Sequence, residues 1–585
     1  MKFVRLTVAA TAAFLSVLSA ACSSDSGTGP VGLNPILGLA ASAKSSSSIQ
    51  VTFASVAGDE SYDVERAEGA SGTFSATTKL AAPASPGTLT YADAGLKSAT
   101  LYRYHVIANR SGRRSIPSGE ASATTLGFGN AAADVTTDIT SSRTFFADTV
   151  YTLKGFIHVA NGATLTIQPG TTINGDFNTL GSSLWVLRGA KIEAVGRADA
   201  PIVLTSSRPA GQRQPGDWGG LLIVGNAINN RSSVDVEIEG SGTDGTAVIG
   251  GKNYRVLYSG GTVPTDNSGT LSYVRVEFAG FAPSLNNELN AFTFAAVGSG
   301  TRASYLQAMA GLDDSYEFFG GGFDLDHLVA YETGDDMYDM SEGFVGRLSF
   351  LIGYNSVQLT PRTGSGFFST DLEGMEMDGC IGSGCDNGFN QKPYSIPLVT
   401  NFTLVGCGST SCVGSGGGYG MMIRRGMGGY FLNGVLARFP KGGISLRDAE
   451  TFQRAGSVPV SDPATTDLLV RNILFSEIAN TPFQAGGGST VQNSLDLTGN
   501  SLTNSTATAT SLFTSLPAQG TVPSGTSAFD WTPPTGSPIT SGGLATLPGK
   551  AGAMGGSAVT GSSYLGAAAP GGTKWWAGWT TYVRN

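Results

Sequence analysis

The sequence predicts an all-β chain, a small β-sandwich followed by a long parallel β-helix solenoid. Three observations carry this. An acidic line recurs at one register: Gly311-Leu-Asp-Asp-Ser-Tyr-Glu-Phe318 returns as Thr333-Gly-Asp-Asp-Met-Tyr-Asp-Met340, and more loosely as Thr370-Asp-Leu-Glu-Gly-Met-Glu-Met377. The first two copies stand 22 residues apart, about one coil of a parallel β-helix, and a fixed period is the signature of stacked repeats. Glycine is abundant, 83 of 585 residues, and charged residues are few. With no long amphipathic helical pattern, that composition reads as turn-rich β structure. The chain is also too long for one ordinary core.

Residues 1–21 read as a signal peptide. Lys2 and Arg5 precede an apolar run from Leu6 to Leu18, and the small residues Ser19-Ala20-Ala21 precede Cys22. The run is too short to span a membrane. The small residues followed by Cys resemble a bacterial lipobox, although that family usually has Leu where Ser19 stands. The resemblance implies cleavage before Cys22 and lipidation of its thiol. No Asp follows Cys22 directly, which by the same resemblance implies the outer membrane. The protein is expected to face the cell exterior. Residues 22–33, with Ser23-Ser-Asp-Ser-Gly-Thr-Gly-Pro30, have the composition of a tether. The net charge of −9 argues against nucleic acid and anionic lipid as partners. Contact with the membrane is then expected through the Cys22 lipid alone.

Residues 34–126 contain short alternating strands separated by turn residues, as a sandwich requires. Ser48-Ile-Gln-Val-Thr-Phe53 and Ser61-Tyr-Asp-Val-Glu-Arg66 read as early strands. Leu96-Lys-Ser-Ala-Thr-Leu-Tyr-Arg-Tyr-His-Val-Ile-Ala-Asn109 resembles the tyrosine-corner strand of a fibronectin type III domain. The resemblance makes Tyr102 the corner, turns Tyr104, Val106 and Ala108 inward, and puts Phe53 where that family usually has a core Trp. It implies a spacer or a binding module.

Residues 127–585 read as the solenoid. Val159-Ala-Asn-Gly-Ala-Thr-Leu-Thr-Ile-Gln-Pro-Gly-Thr-Thr-Ile173, Leu184-Trp-Val-Leu187 and Asp217-Trp-Gly-Gly-Leu-Leu-Ile-Val224 resemble the first coils of bacterial right-handed β-helix proteins. Leu165, Ile167 and Ile173 alternate as stacked interior side chains do, and Gly and Asn are expected at the corners. The stretch from Gly269 to the acidic coils, with the ending Tyr564-Leu-Gly-Ala567 and Trp575-Trp-Ala-Gly-Trp-Thr580, resembles a widespread family of secreted bacterial lipoproteins and surface proteins without an assigned function. The aromatic tail is expected to cap the last coil. Insertions near 239–268, 357–370 and 406–418 are expected as loops, which often carry a solenoid's binding face.

Stacked coils lie about 4.8 Å apart, so Glu317, Asp339 and Glu376 should form one column and Asp314, Asp336 and Glu373 another. Alternation turns Tyr316, Phe318, Tyr338, Met340, Met375 and Met377 inward. It turns Ser315, Glu317, Met337, Asp339, Gly374 and Glu376 outward, with the second acidic column at the preceding corner. Carboxylates at that spacing repel by roughly 0.9 kcal/mol in water, or about 3.5 kcal/mol at an effective dielectric near 20. Water can screen the column, which makes it a solvated stripe on a structural surface protein. Calcium can bridge it, with Asp314, Glu317, Asp336, Asp339, Glu373 and Glu376 as ligands. Or a carboxyl can stay protonated for acid–base work on a polysaccharide, with Asp335, Asp336 and Asp339 as the catalytic candidates. Gly334-Asp-Asp336 resembles one element of the polygalacturonase active site. That family's His-containing and Arg-Ile-Lys elements are not found, and Arg424-Arg425 matches the latter only in charge.

Among the three histidines, His105, His158 and His327, only His327 lies near the acidic line in sequence. No phosphate-binding loop, nucleophile elbow or zinc-protease motif is present. Cys380, Cys385, Cys407 and Cys412 form two C-x4-C units. Export favours disulfides, each small loop could close on itself, and a four-Cys zinc site is the alternative. The expected function is a lipid-anchored surface protein that binds a polysaccharide or another surface polymer through the acidic face, with calcium. A polysaccharide hydrolase or lyase at the same face is the runner-up.

Overall fold

The computed structural model describes residues 33–585 apart from 234, 242–247, 250–251, 254–256, 283–286, 457–459, 480–482, 486–495 and 497–498. The signal peptide, Cys22 and most of the expected tether lie outside the described residues. The chain divides into two compact units, Met1–Thr125 and Leu126–Asn585.

The first unit is an antiparallel sandwich. One sheet joins Ala40–Ser45, Ser48–Ala54 and Thr88–Ala94; the other is built on Ser61–Glu68 and Leu101–Arg110. Period-two burial follows from the sequence alternation: Ile49, Val51, Phe53, Tyr62, Val64, Tyr104, Val106 and Ala108 fill the space between the sheets. Tyr102 Oη accepts the Lys97 backbone N–H at 2.9 Å, tying the strand to the chain five residues upstream. This is the tyrosine corner of the fibronectin type III fold. Phe53 packs edge-on against Tyr62.

The second unit is a right-handed parallel β-helix. Its coils have three faces. Lys191–Val195 pairs with the first half of Gly269–Glu277, and Ile202–Ser206 pairs with the second half. From Gly269 onward two faces are therefore one long strand bent in the middle. The third face is a ten-stranded parallel sheet that carries Phe292–Val297, Tyr316–Gly321, Tyr338–Ser341, Met375–Asp378 and Tyr419–Arg424 in succession. Inside the coils, Phe292, Tyr316 and Tyr338 stack at 5.1 Å. Their hydroxyls are not wasted in the core: Tyr316 Oη donates to the carbonyls of Leu306 and Val329, and Tyr338 Oη to those of Leu328 and Ile352.

Two expectations about this unit are corrected, the first in part. Of the Gly and Asn expected at the corners, the bend of the long strands takes Asn but not Gly. It falls at Tyr273, Tyr305, His327, Phe350, Asn401, Asn433, Asn472 and Ser501, one per coil, each in the left-handed region. Asn tolerates that region; the aromatic members are held there by stacking, with ring centroids at 4.5, 4.5 and 4.9 Å from Tyr273 to Tyr305, His327 and Phe350 in turn. The tail does not cap the last coil either. It runs back along the outside of this bend as a strap. Asn472 Nδ2 donates to the Gly542 carbonyl, Asn433 Nδ2 to those of Leu544 and Ser562, and Asn401 Nδ2 to that of Gly566. Farther on, Trp575 meets His327 edge-on and Trp579 covers Tyr273 and Tyr305. The Asn and aromatic columns provide polar and apolar seats that an end cap would leave unfilled.

Candidate functional site

The ten-stranded face brings the repeated acidic lines together. Glu317 pairs in register with Asp339, and Asp339 with Glu376. The residues before these strands form the second column, joined by hydrogen bonds from coil to coil. Asp314 N–H donates to Asn290 Oδ1 at 3.0 Å, Asp336 N–H to Asp314 Oδ1 at 2.8 Å, and Glu373 N–H to Asp336 Oδ1 at 2.9 Å. One carboxylate oxygen of Asp314 and of Asp336 is thus spent on holding the next coil.

The columns do not face open water, which corrects the expected outward stripe. They form the floor of a cleft of about 950 Å³. Glu239 and Glu288, together with Phe367, Ser369 to Asp371 and Gly416, add walls from outside the regular coils. Asp314, Glu317, Asp336 and Glu373 are buried, while Asp335, Asp339 and Glu376 keep partial exposure. Met337, expected outward, is in the core instead, because it precedes the strand Tyr338–Ser341 and alternation does not reach it.

Burial dominates the electrostatics. Desolvation, then neighbouring carboxylates, pushes Asp313, Glu317, Asp336, Asp339 and Glu373 well above the usual carboxylate range. Asp335 is pushed up to about 8 by the same causes. Asp314 reaches only about 6, because Glu317 and the Asp336 N–H hydrogen-bond to its charged form. At the far end of the row stand Arg424, Arg425 and Arg447. Arg424 pairs with Glu376 and with Asp378, and Arg425 with Asp378.

Three overlapping groups could each hold a cation: Asp313, Asp314 and Asp335; Asp314, Asp336 and Asp339; Asp336, Glu373 and Glu376. Within each, one oxygen per residue lies within 4.8 Å of the others. The donor set is all carboxylate, which suits hard cations such as calcium. The fit has independent support in orphaned atoms. Both carboxylate oxygens of Glu373, Asp335 Oδ1 and Asp339 Oδ1 are buried without a hydrogen-bond partner, a state that needs a reason in a folded protein.

His327 is not at this site. It lies in Asp324–Tyr331 on the bent strands, at the bend between Tyr305 and Phe350, and pairs with Asp326. The cysteines close as Cys380–Cys385 and Cys407–Cys412, which leaves no thiolates for zinc. The first ring borders the acidic cleft and is held by Arg231, which bonds the Ile381 and Ser383 carbonyls and Glu342. The second ring borders a separate cavity. The sequence reading missed Asp313, Asp378, Glu239, Glu288, Arg231 and Arg447 as members of the site. Asp378 could have been found by alternation from Glu376. Glu239 and Glu288 carry no register that would reveal them.

Some solved structures are similar to parts of this chain. A Fn3-like protein from Clostridium thermocellum is 27% identical over 14% of this chain and 84% of that one, with a TM-score of 0.13. Pectate lyase Pel3 from Pectobacterium carotovorum is 13% identical over 54% of this chain and 86% of that one, TM-score 0.13. Pectate lyase PelI from Erwinia chrysanthemi, in complex with tetragalacturonic acid, is 8% identical over 70% and 86%, TM-score 0.13. No curated protein matches the chain. A family described as "Pectate-lyase like beta helix domain" matches residues 137–527, from the first coils through the whole acidic row. The chain belongs to this pectate-lyase-like β-helix family.

Proposed function

We propose that the cleft binds a polysaccharide or a related surface polymer with the help of a divalent cation, calcium by donor chemistry, held on the carboxylate row. The observation that carries the reading is Glu373. Its carboxylate is fully buried, neither oxygen has a hydrogen-bond partner, and it stands beside Asp336 and Glu376. A cation held between these carboxylates would satisfy such a group. Asp314, Glu317 and Asp339 extend the same row. Membership of a pectate-lyase-like family supports a polysaccharide as the ligand, an inference from fold and not from chemistry. The test is a glycan array and a melting curve on residues 23–585, with and without calcium. Calcium should raise the melting temperature and be needed for glycan retention. A melting temperature indifferent to calcium defeats the cation part; an array blank in both conditions defeats the polysaccharide part.

Cleavage is the second reading, favoured by one specific contrast. Asp335, held up to about 8, keeps a proton at neutral pH, while Arg424 and Arg425 line the same cleft two coils further on. A carboxyl held at about 8 beside Asp314, which reaches only about 6, is the raw material of acid–base chemistry, with Asp335, Asp336 and Asp339 as the candidates. Release of fragments from a polyuronide, lost in Asp336→Asn, would replace binding by catalysis.

The lipid anchor on Cys22 and an outer-membrane, exterior-facing location complete the proposal; they rest on the signal-peptide pattern. Cys22→Ser should move the protein from the membrane pellet to the soluble fraction, and a variant that stays in the pellet would overturn the anchor.

A further inference from the structure

Among the described residues that line the cleft, Phe367 is an exposed aromatic ring and Phe319 a half-buried one, in a wall otherwise dominated by carboxylates. The surroundings of Phe367 show that the exposure is built. Ser365 is buried; its carbonyl accepts the Ala282 N–H at 2.8 Å and its hydroxyl donates to the Arg362 carbonyl. Gly366 has φ +98°, and a Cβ there would stand 1.6 Å from the Ala282 carbonyl oxygen, so this backbone sits flush against its neighbour. On the other side, Phe368 turns away and packs against the apolar layer beneath the C-terminal strap. The loop is pinned before and after Phe367, and the ring is presented to the cleft at 44% exposure. Burying a Phe side chain stabilises a fold, a gain this anchored loop forgoes.

An aromatic face beside a bank of hydrogen-bond acceptors has a particular chemical complement. A pyranose ring has an apolar face of C–H bonds and a rim of hydroxyl donors. The C–H face lies on an aromatic ring, whose face is electronegative, and the hydroxyls reach carboxylate oxygens. Ligand sites in general join apolar surface to a few placed polar groups. We infer that Phe367 is the stacking platform of a sugar subsite in the acidic cleft, fixing one ring of a bound glycan chain through its C–H face. This rests on the polysaccharide reading above and adds a specificity that the cation row does not supply, since stacking does not require a charged sugar.

The test compares the wild-type chain from residue 23 onward with Phe367→Ala and Phe367→Trp. Each is titrated with polygalacturonate and with an uncharged galactan in calcium, and each is melted with and without calcium. Phe367→Ala should weaken binding of whichever polymer the wild type retains by about tenfold or more, the size of one aromatic stack. Phe367→Trp should keep it, and the calcium-induced rise in melting temperature should be the same in all three. Equal binding by wild type and Phe367→Ala overturns the platform and leaves the cleft reading intact. So does a Trp variant that fails like the Ala variant while melting normally. A wild type that retains neither polymer sinks the platform together with the polysaccharide reading, whatever calcium does to melting.

Discussion

Glu373 concentrates the electrostatic tension of the cleft, since its two buried oxygens have no partner. Glu373→Gln removes the charge and keeps the shape. In chelator the variant should melt higher than wild type, because repulsion is relieved; in calcium it should melt lower, because a ligand is gone. A rise in both conditions, measured by calorimetry, would make the row a tolerated charge stripe. The pH dependence follows from the raised carboxyls. Asp314 titrates at about 6 and Asp335 at about 8 in the fold, against about 4 in the unfolded chain. A raised carboxyl favours the fold while protonated, so this stabilisation is complete below about pH 4 and is lost as pH rises through about 6 and about 8. The melting temperature in chelator should therefore fall between about pH 5 and about pH 8.5, and calcium should flatten the fall. The acidic column was legible because Glu317 and Asp339 sit in successive uninterrupted coils. Its burial was not, because Glu239, Glu288, Phe367 and Ser369 to Asp371, which wall it in, follow no period.

Asn433 shows what the bent strands require of their corner. Its φ is 61°; its side chain donates to the Leu544 and Ser562 carbonyls and accepts the Leu544 N–H at 2.7 Å. Asn433→Gly keeps the left-handed backbone and loses these bonds; Asn433→Ala loses both. Both variants should be less stable in urea, by about 1–3 kcal/mol for the bonds, with Ala lower still by about 1 kcal/mol for the backbone. Equal losses would mean that the left-handed angle carries no strain there. Alternation within each strand was readable from the sequence, as the inward Tyr316, Tyr338 and Met375 show. The bend was not, because Tyr273 or His327 reads as one more strand residue; what sets its angle is the ring stacked one coil away.

The C-terminal strap joins the ends of the solenoid's middle. Arg275 donates to the Trp579 carbonyl across 304 residues, and Gln307 exchanges two hydrogen bonds with Thr581 across 274. Deleting residues 567–585 should leave the parallel sheets standing but uncover Tyr273, Tyr305 and His327, so the truncated chain should bind a hydrophobic dye and aggregate on concentration. A deletion variant that stays monodisperse and dye-free would show the strap to be dispensable. The solenoid was legible because two successive coils, at Glu317 and Asp339, repeat the same line in register with no insertion between them; the strap was not, because its partners lie hundreds of residues upstream. That separation also sets an order in time. The aromatic corner at Tyr273, Tyr305 and His327 precedes in the chain the Trp575 and Trp579 that cover it, so it is made before its cover. Until Trp575 and Trp579 dock, each molecule carries that corner bare, so the coils are complete as coils before they are complete as a surface.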